Sequence, residues 1–545
     1  MASKLLLSFA IALASSHIPS ASCAPTNVTS QCSPSTFAFP DLFGAELVHI
    51  SASEVLNYSA VSVEPGLITG RRYTIDFCNV TVTYTHPGWN DTINVEAWLP
   101  LKGWNDRLMA LGGGGYSTGM GSLYLTQAVS SGFAAIDTDG GHESGQVAAQ
   151  SLDWALSSPG NVNLYLLEDY ASRALIDMTV IGKAVTQDYY SAAPEYSYFT
   201  GCSGGGRQGA MLAQRYPEGY DGILAVSPAL NIENFIPAGF WATHVMQTLG
   251  VYPPPCEIAA YTQAAIDACD MLDGVADGII SAPRSCGFTA HSVVGQDFSC
   301  DNTTRQFTAA AATIVEAAWN GPRSASGNSG WFGVGKDSDL TSTYIITSCA
   351  DDNTNCTSPP SELLSGWIKV LSAKDPNFDA AAMTDDDFFT YLRASEQQYH
   401  SMMSAADPDL SAFRAAGGKM ITWHGLSDGV IPVNGTAMYY EQAMQLDSAV
   451  DDFYRFFEAP GLGHCNGGVG PVPEGALDQL MAWVEDGVVP ETLDTVGDGE
   501  QTGILCPYPL QQTYNGGDAK NASSFSCTKR AGGGEERLAD QITFL

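Results

Sequence analysis

The run Phe199-Thr200-Gly201-Cys202-Ser203-Gly204-Gly205-Gly206-Arg207-Gln208-Gly209 constrains this chain more than any other. It holds a G-x-S-x-G sequence with a cysteine directly before the serine. A serine on a sharp turn between a strand and a helix sits under backbone strain, and only small neighbours allow that turn. Gly201 and Gly205 stand two residues to either side of Ser203. Residues 196–200 are aromatic and β-prone. Residues 208–216 carry Ala210, Met211, Leu212 and Ala213 and no proline, as a helix should. The plainer reading is a glycine-rich loop that happens to contain serine; the strand–turn–helix context argues for a nucleophile.

A nucleophilic serine needs a base to take its proton and a carboxylate to orient that base. After an elbow of this kind the chain order is acid, then histidine. Residues 419–432, KMITWHGLSDGVIP, read as a buried strand ending in a turn that presents Asp428. Residues 453–465, FYRFFEAPGLGHC, read as a second strand followed by a Gly/Pro loop that presents His464. Alone, Asp428 could be a turn former and His464 a solvated loop histidine. His424 is a rival base, but it precedes the acid and reads as a structural or pocket-edge histidine. The three strands in one order carry the argument. Cys202 precedes Ser203 and Cys465 follows His464. If these sulfurs bond, their Cα atoms must lie within about 7 Å, which makes Ser203 and His464 near neighbours.

The Cys-Ser, Asp, His-Cys pattern resembles the tannase and feruloyl esterase family. LGGGGY at 111–116, DTDGGH at 137–142, RYPEGYDGILAVSP at 215–228 and HCNGGVG at 464–470 resemble it too. The resemblance implies an α/β-hydrolase fold with a large inserted lid domain. It implies a triad of Ser203, Asp428 and His464 whose serine and histidine each neighbour a cysteine of one disulfide, Cys202–Cys465. Residues 24–230 and 410–528 are expected to form the catalytic domain and 231–409 the lid. The family lid carries a calcium site, and the matching stretch is CDMLDGVADGII at 269–280. Three carboxylates within eight residues suit a hard cation that takes oxygen ligands, although the spacing is not that of an EF-hand. An acidic solvated loop is the alternative. By analogy the ligands are the side chains of Asp270, Asp273 and Asp277 and the carbonyls of Val275 and Ile279. The ion would be structural, and no organic cofactor is expected.

Residues 1–23 read as a secretory signal: Lys4, then an apolar run of about ten residues, too short to span a membrane, then small residues up to Cys23. No later segment has the length and apolarity of a membrane span. Of 13 cysteines, removal of Cys23 leaves an even set, as an oxidising compartment favours. Cys32–Cys78 and Cys506–Cys527 follow from the resemblance. Cys256–Cys269, Cys286–Cys300 and Cys349–Cys356 rest only on proximity in the chain. Sequons at Asn27, Asn57, Asn79, Asn90, Asn302, Asn355, Asn434 and Asn521 suggest a glycosylated extracellular protein. Lys529-Arg530 is a candidate processing site, and 529–545 a flexible or removed tail. With 59 acids against 23 bases, a formal charge of -36 argues against nucleic acid, which requires basic patches.

The expected reaction is ester hydrolysis through an acyl-enzyme. Oxyanion donors are expected from the backbone of Gly204 and from the turn at 112–115, with Gly114 first and Gly115 close behind. The family acts on esters of aromatic acids: hydroxycinnamates on plant cell-wall sugars, or gallate in tannins. Hydroxycinnamate is the favoured reading for this chain. A non-catalytic binding protein on a hydrolase scaffold and a serine carboxypeptidase-like peptidase are the other classes. Lid aromatics such as Phe235, Trp241, Trp319, Trp331, Trp367 and Tyr391 could stack on a phenolic ring, though most are expected to be core.

Overall fold

The structure, a computed structural model, describes residues 31–65, 70–301, 303–351, 353–497, 499, 501–529 and 538–542. The expected signal at 1–23, the sequons at Asn27 and Asn302, and Arg530 lie outside the described residues.

Nine strands form one sheet. We number them β1 (Glu46–Ser62), β2 (Arg71–Thr85), β3 (Ile93–Pro100), β4 (Arg107–Leu111), β5 (Ala134–Thr138), β6 (Tyr196–Cys202), β7 (Gly222–Val226), β8 (Lys419–Gly425) and β9 (Tyr454–Ala459). Their order is β1-β2-β3-β5-β4-β6-β7-β8-β9. The first three strands and β5 pair antiparallel; from β5 to β9 every pairing is parallel. The sequence explains the division. AAIDT in β5 and GILAV in β7 are buried at every position, as strands covered on both faces must be. Much of β2 alternates between buried and more exposed positions, so its outer face meets solvent.

Helices cover both faces. On one side Met178 and Ile181 of the helix Ala174–Tyr190, Met211 of Gly204–Arg215 and Met438 of Val433–Leu446 pack on Leu108, Ile136 and Phe199. On the other, Leu125 and Val129 of Ser122–Ser130 and Leu480 and Trp483 of Ala476–Asp486 pack on Met109, Ala135 and Tyr198. This is the α/β-hydrolase arrangement that the sequence implied.

Between β7 and β8 the chain leaves the sheet. Residues 242–345 supply a core of their own, with Met246, Tyr261, Ile314, Trp319 and Tyr344. The flanking helices do not stand apart: Phe235, Trp367, Phe388 and Met403 join the same apolar cluster as the sheet. Most aromatics of the insertion are core, and Trp331 and Trp367 are among the largest fully buried side chains.

Two disulfide expectations are corrected. Cys256 bonds Cys300 and Cys269 bonds Cys286, not Cys256 with Cys269 and Cys286 with Cys300. The helix Pro255–Cys269 carries Cys256 and Cys269 near its two ends. At 1.5 Å rise per residue they are roughly 20 Å apart, far beyond disulfide reach. Cys32–Cys78, Cys202–Cys465, Cys349–Cys356 and Cys506–Cys527 pair as expected. Part of the tail is also packed where looseness was expected. Leu538–Gln541 is a helical turn with Leu538 buried, and the Leu538 N–H donates to Glu441 Oε2 at 3.1 Å.

Candidate active site

Ser203 follows β6 and caps the helix Gly204–Arg215, with φ +62° and ψ -121°. A non-glycine residue at positive φ is strained. Close packing on every side holds it there. A Cβ on Gly201 would meet Gly205 C at 2.6 Å, and one on Gly205 would meet Gly113 O at 2.7 Å. The Ser203 N–H donates to Val226 O at 3.0 Å, which ties the elbow to the end of β7.

Asp428 lies in the turn after β8. Its Oδ1 accepts the N–H groups of Val430 and Ile431, both at 2.8 Å. Its Oδ2 lies 2.8 Å from His464 Nδ1 and 3.0 Å from His424 Nε2. Burial pushes this carboxyl up, but the attraction of His464 and the hydrogen bonds of both histidines outweigh it and hold it well below the usual carboxylate range. Asp428 is therefore ionised and acceptor-only, so both histidines donate to it. His424 Nε2 also faces Ile431 O at 3.2 Å, another acceptor, while Nδ1 meets Thr436 Oγ1 at 2.9 Å.

The disulfide Cys202–Cys465 brings those two Cα atoms to 5.8 Å. The elbow and the histidine loop are thus joined covalently beside the Asp428 turn. The insertion braces the acid: Ser338 Oγ donates to Asp428 O at 3.2 Å, and Ser427 Oγ donates to Asp337 Oδ2 at 2.7 Å.

The glycine turn after β4 lies against the elbow. A Cβ on Gly204 would be 2.8 Å from Gly115 O and 3.3 Å from Gly115 N. The N–H of Gly114, the glycine expected first as an oxyanion donor, donates to Ser117 O at 3.2 Å. Gly115, at φ +54°, is the turn residue whose amide adjoins Gly204. Gly204 itself begins the helix, where backbone N–H groups lack intrahelical partners. Two side chains that sequence reasoning missed set this turn. Gln208 Oε1 accepts the Gly113 N–H at 2.9 Å, and Tyr170 Oη donates to Gly115 O at 2.8 Å. Gln208 could have been found from its place in the elbow run; Tyr170 carries no local signal. The buried Arg207 donates to Tyr170 O and Ala171 O at 2.9 and 3.0 Å and lies over the Tyr170 ring.

The acidic loop of the insertion brings Asp270, Asp273 and Asp277 together loosely. Asp270 Oδ1 accepts the N–H groups of Asp277 and Gly278, each at 3.1 Å. Asp273 Oδ1 accepts Val275 N–H at 2.9 Å and Asp277 Oδ1 accepts Ile279 N–H at 3.1 Å. Burial, then the neighbouring Asp273 and Asp270, push the Asp277 carboxyl up to about 6. Three carboxylates so placed are oxygen donors of the kind a hard divalent cation takes, though their ligand-type atoms do not converge as a set within 4.8 Å among the described residues. Ile279 reaches the histidine loop, within 2.8 Å of where a Cβ on Gly461 would stand. A cavity of about 300 Å³ lies among Trp319, Trp331, Leu426 and Pro460; neither Ser203 nor His464 lines it.

The family model described as Tannase and feruloyl esterase matches residues 78–528. The chain is 38% identical over 508 residues to the Arthroderma benhamiae protein named "Probable feruloyl esterase", covering 90% of this chain and 93% of that one. Its structure is similar to tannin acyl hydrolase from Aspergillus niger, with TM-score 0.81 and 26% identity over 94% of this chain and 96% of that one. It is similar also to feruloyl esterase B from Aspergillus oryzae, with TM-score 0.74 and 25% identity over 90% and 98%. With an elbow serine, an Asp–His pair and a disulfide joining their loops, the chain belongs to the tannase and feruloyl esterase family.

Proposed function

We propose that this protein is a serine esterase that hydrolyses esters of aromatic acids, hydroxycinnamates foremost, through an acyl-enzyme. The observation that supports this reading is the disulfide that joins the residue before Ser203 to the residue after His464, with His464 held by Asp428. Ser203 attacks the ester carbonyl. His464, its Nδ1–H on Asp428, offers Nε2 to take the serine proton and returns it to the leaving alcohol. Asp428 stays ionised and stabilises the imidazolium between the two steps. The N–H groups of Gly204 and Gly115 receive the oxyanion; one such donor is worth roughly 10²–10³ in rate. Water then repeats the attack and frees the acid.

Gallate esters are the second reading, favoured by the fold similarity to tannin acyl hydrolase from Aspergillus niger. Calcium is proposed for the acidic loop, held by Asp270, Asp273 and Asp277 with the carbonyls of Val275 and Ile279. Its role is structural, since the loop steadies Gly461 three residues before His464. Secretion fits six disulfides and the exposed sequons at Asn57, Asn90 and Asn521.

The test is acid release from methyl ferulate, methyl caffeate, methyl gallate and a peptide by the native protein and Ser203→Ala. Release of a phenolic acid by the native protein alone supports the reading, and the preferred ester selects between its two branches. Peptide cleavage without ester cleavage would sink it.

A further inference from the structure

A buried polar group at the end of β2 takes no part in the ester chemistry. His86 follows β2, Asp91 lies in the turn before β3, and Asp169 and Asp177 belong to the helical stretch that ends at Tyr190. His86 is 3% exposed, Asp91 6%, and Asp169 and Asp177 are 0% exposed. One ligand-type atom from each of His86, Asp91 and Asp169 lies within 4.8 Å of the other two. His86 Nδ1 faces Asp91 Oδ2 at 2.6 Å and Asp169 Oδ1 at 3.7 Å.

The surroundings hold these atoms close together. Asp91 Oδ1 is held by the Thr85 hydroxyl at 2.7 Å and the His86 N–H at 2.8 Å, so Oδ2 turns inward. His86 Nε2 lies 2.9 Å from Asp177 Oδ2, which also accepts from Tyr84 Oη at 3.2 Å, while Arg173 Nε lies 3.2 Å from both Asp177 Oδ2 and His86 Nε2. An imidazole whose far nitrogen donates to a carboxylate is oriented as metal-bound imidazoles are. Trp89 lies against the His86 ring, 4.7 Å between centroids.

Asp169 is the anomaly. Both of its carboxylate oxygens are buried with no hydrogen-bond partner. Ionised, it lacks a donor; protonated, its O–H lacks an acceptor. Either state is costly in the interior. A cation between Asp169, Asp91 and His86 Nδ1 satisfies the carboxylate directly. One imidazole nitrogen with carboxylate oxygens suits a first-row divalent ion more than calcium, which takes oxygen alone.

We propose that His86, Asp91 and Asp169 form a second metal site, separate from the acidic loop of the insertion, that takes a divalent transition cation such as Zn²⁺ or Mn²⁺. Asp169 opens a π-helical turn, Asp169–Arg173, a geometry frequent at functional sites. The next residue, Tyr170, holds Gly115 O. The ion thereby anchors the segment that braces the oxyanion turn.

The test is equilibrium dialysis of the full chain against Zn²⁺ and, separately, Mn²⁺, followed by metal quantification. About one equivalent of transition metal is expected in the native protein and in Asp273→Asn, with at least a tenfold loss of affinity in Asp169→Asn. Should Asp169→Asn fail to fold, Co²⁺ loaded into the native protein gives a readout without a variant: nitrogen–oxygen ligand-field bands that Zn²⁺ abolishes are expected. Native protein that retains none of these ions, retention unaltered by Asp169→Asn, or a Co²⁺ spectrum identical to that of the aquo ion overturns the proposal.

Discussion

His424 and His464 donate to one oxygen, Asp428 Oδ2, at 3.0 and 2.8 Å. With the two backbone donors on Oδ1, all four lone-pair directions of the carboxylate are filled. His424, set aside as a rival base, is a fully buried positioning residue for the acid.

Replacing His424 with Phe removes one charge-assisted donor, worth about 1.5–3 kcal/mol. kcat should fall roughly ten- to hundredfold with KM little altered. His424→Gln, which keeps an N–H near the same place, should recover much of the loss. A depressed carboxyl contributes stability above the ordinary carboxylate value of about 4 and loses it as pH falls below. With a smaller depression of Asp428, the acid-unfolding midpoint of His424→Phe should move to higher pH, and in His424→Gln it should stay near the native value.

Tyr170→Phe deletes the hydroxyl that fixes Gly115 O and leaves a buried acceptor unpaired, a cost of about 1–3 kcal/mol. The Gly115 amide should lose its aim. kcat should drop about tenfold on a good ester substrate while KM holds. An equal rise in KM would show that the turn binds the ground state as well.

Asp137 is buried on β5, with Oδ2 accepting the Gly121 N–H at 2.7 Å. Burial, then Glu96, pushes its carboxyl up to about 7. Between about pH 4 and pH 7 the folded chain holds a proton there that the unfolded chain releases, so stability declines as pH rises through that window. Asp137→Asn should flatten the decline, by an amount on the order of 4 kcal/mol at most. Melting temperature recorded across pH 4–8 for both proteins checks it.

The Cys202–Cys465 bond spans 263 residues of sequence, and the chain-entropy account gives it about 5 kcal/mol. The Cys202→Ala/Cys465→Ala double variant should melt lower and lose catalysis by more than stability explains. A displacement of about 1 Å between reacting groups costs on the order of 100-fold. Single-turnover rates at a temperature where both proteins are folded separate the two effects.

The sequence by itself determined the parts whose chemistry is local. Glycines around Ser203 are demanded by steric contact within a few residues. The order Ser, Asp, His and the strand-like runs of β6, β8 and β9 are likewise properties of short stretches. Tertiary structure decided whatever depends on distance between remote segments. Cys256 could not reach Cys269 because the helix between them is rigid and long. Which amides of the glycine turn are taken was decided the same way: the Gly114 N–H turns to Ser117 O, and Gly115 lies on Gly204. His424 and Tyr170 became supports for the site only through partners brought close by the sheet, and Asp169 met His86 across a gap of more than eighty residues. Short-range sterics are written in neighbouring letters, whereas hydrogen-bond partners and buried charge are set by which strands and helices pack together.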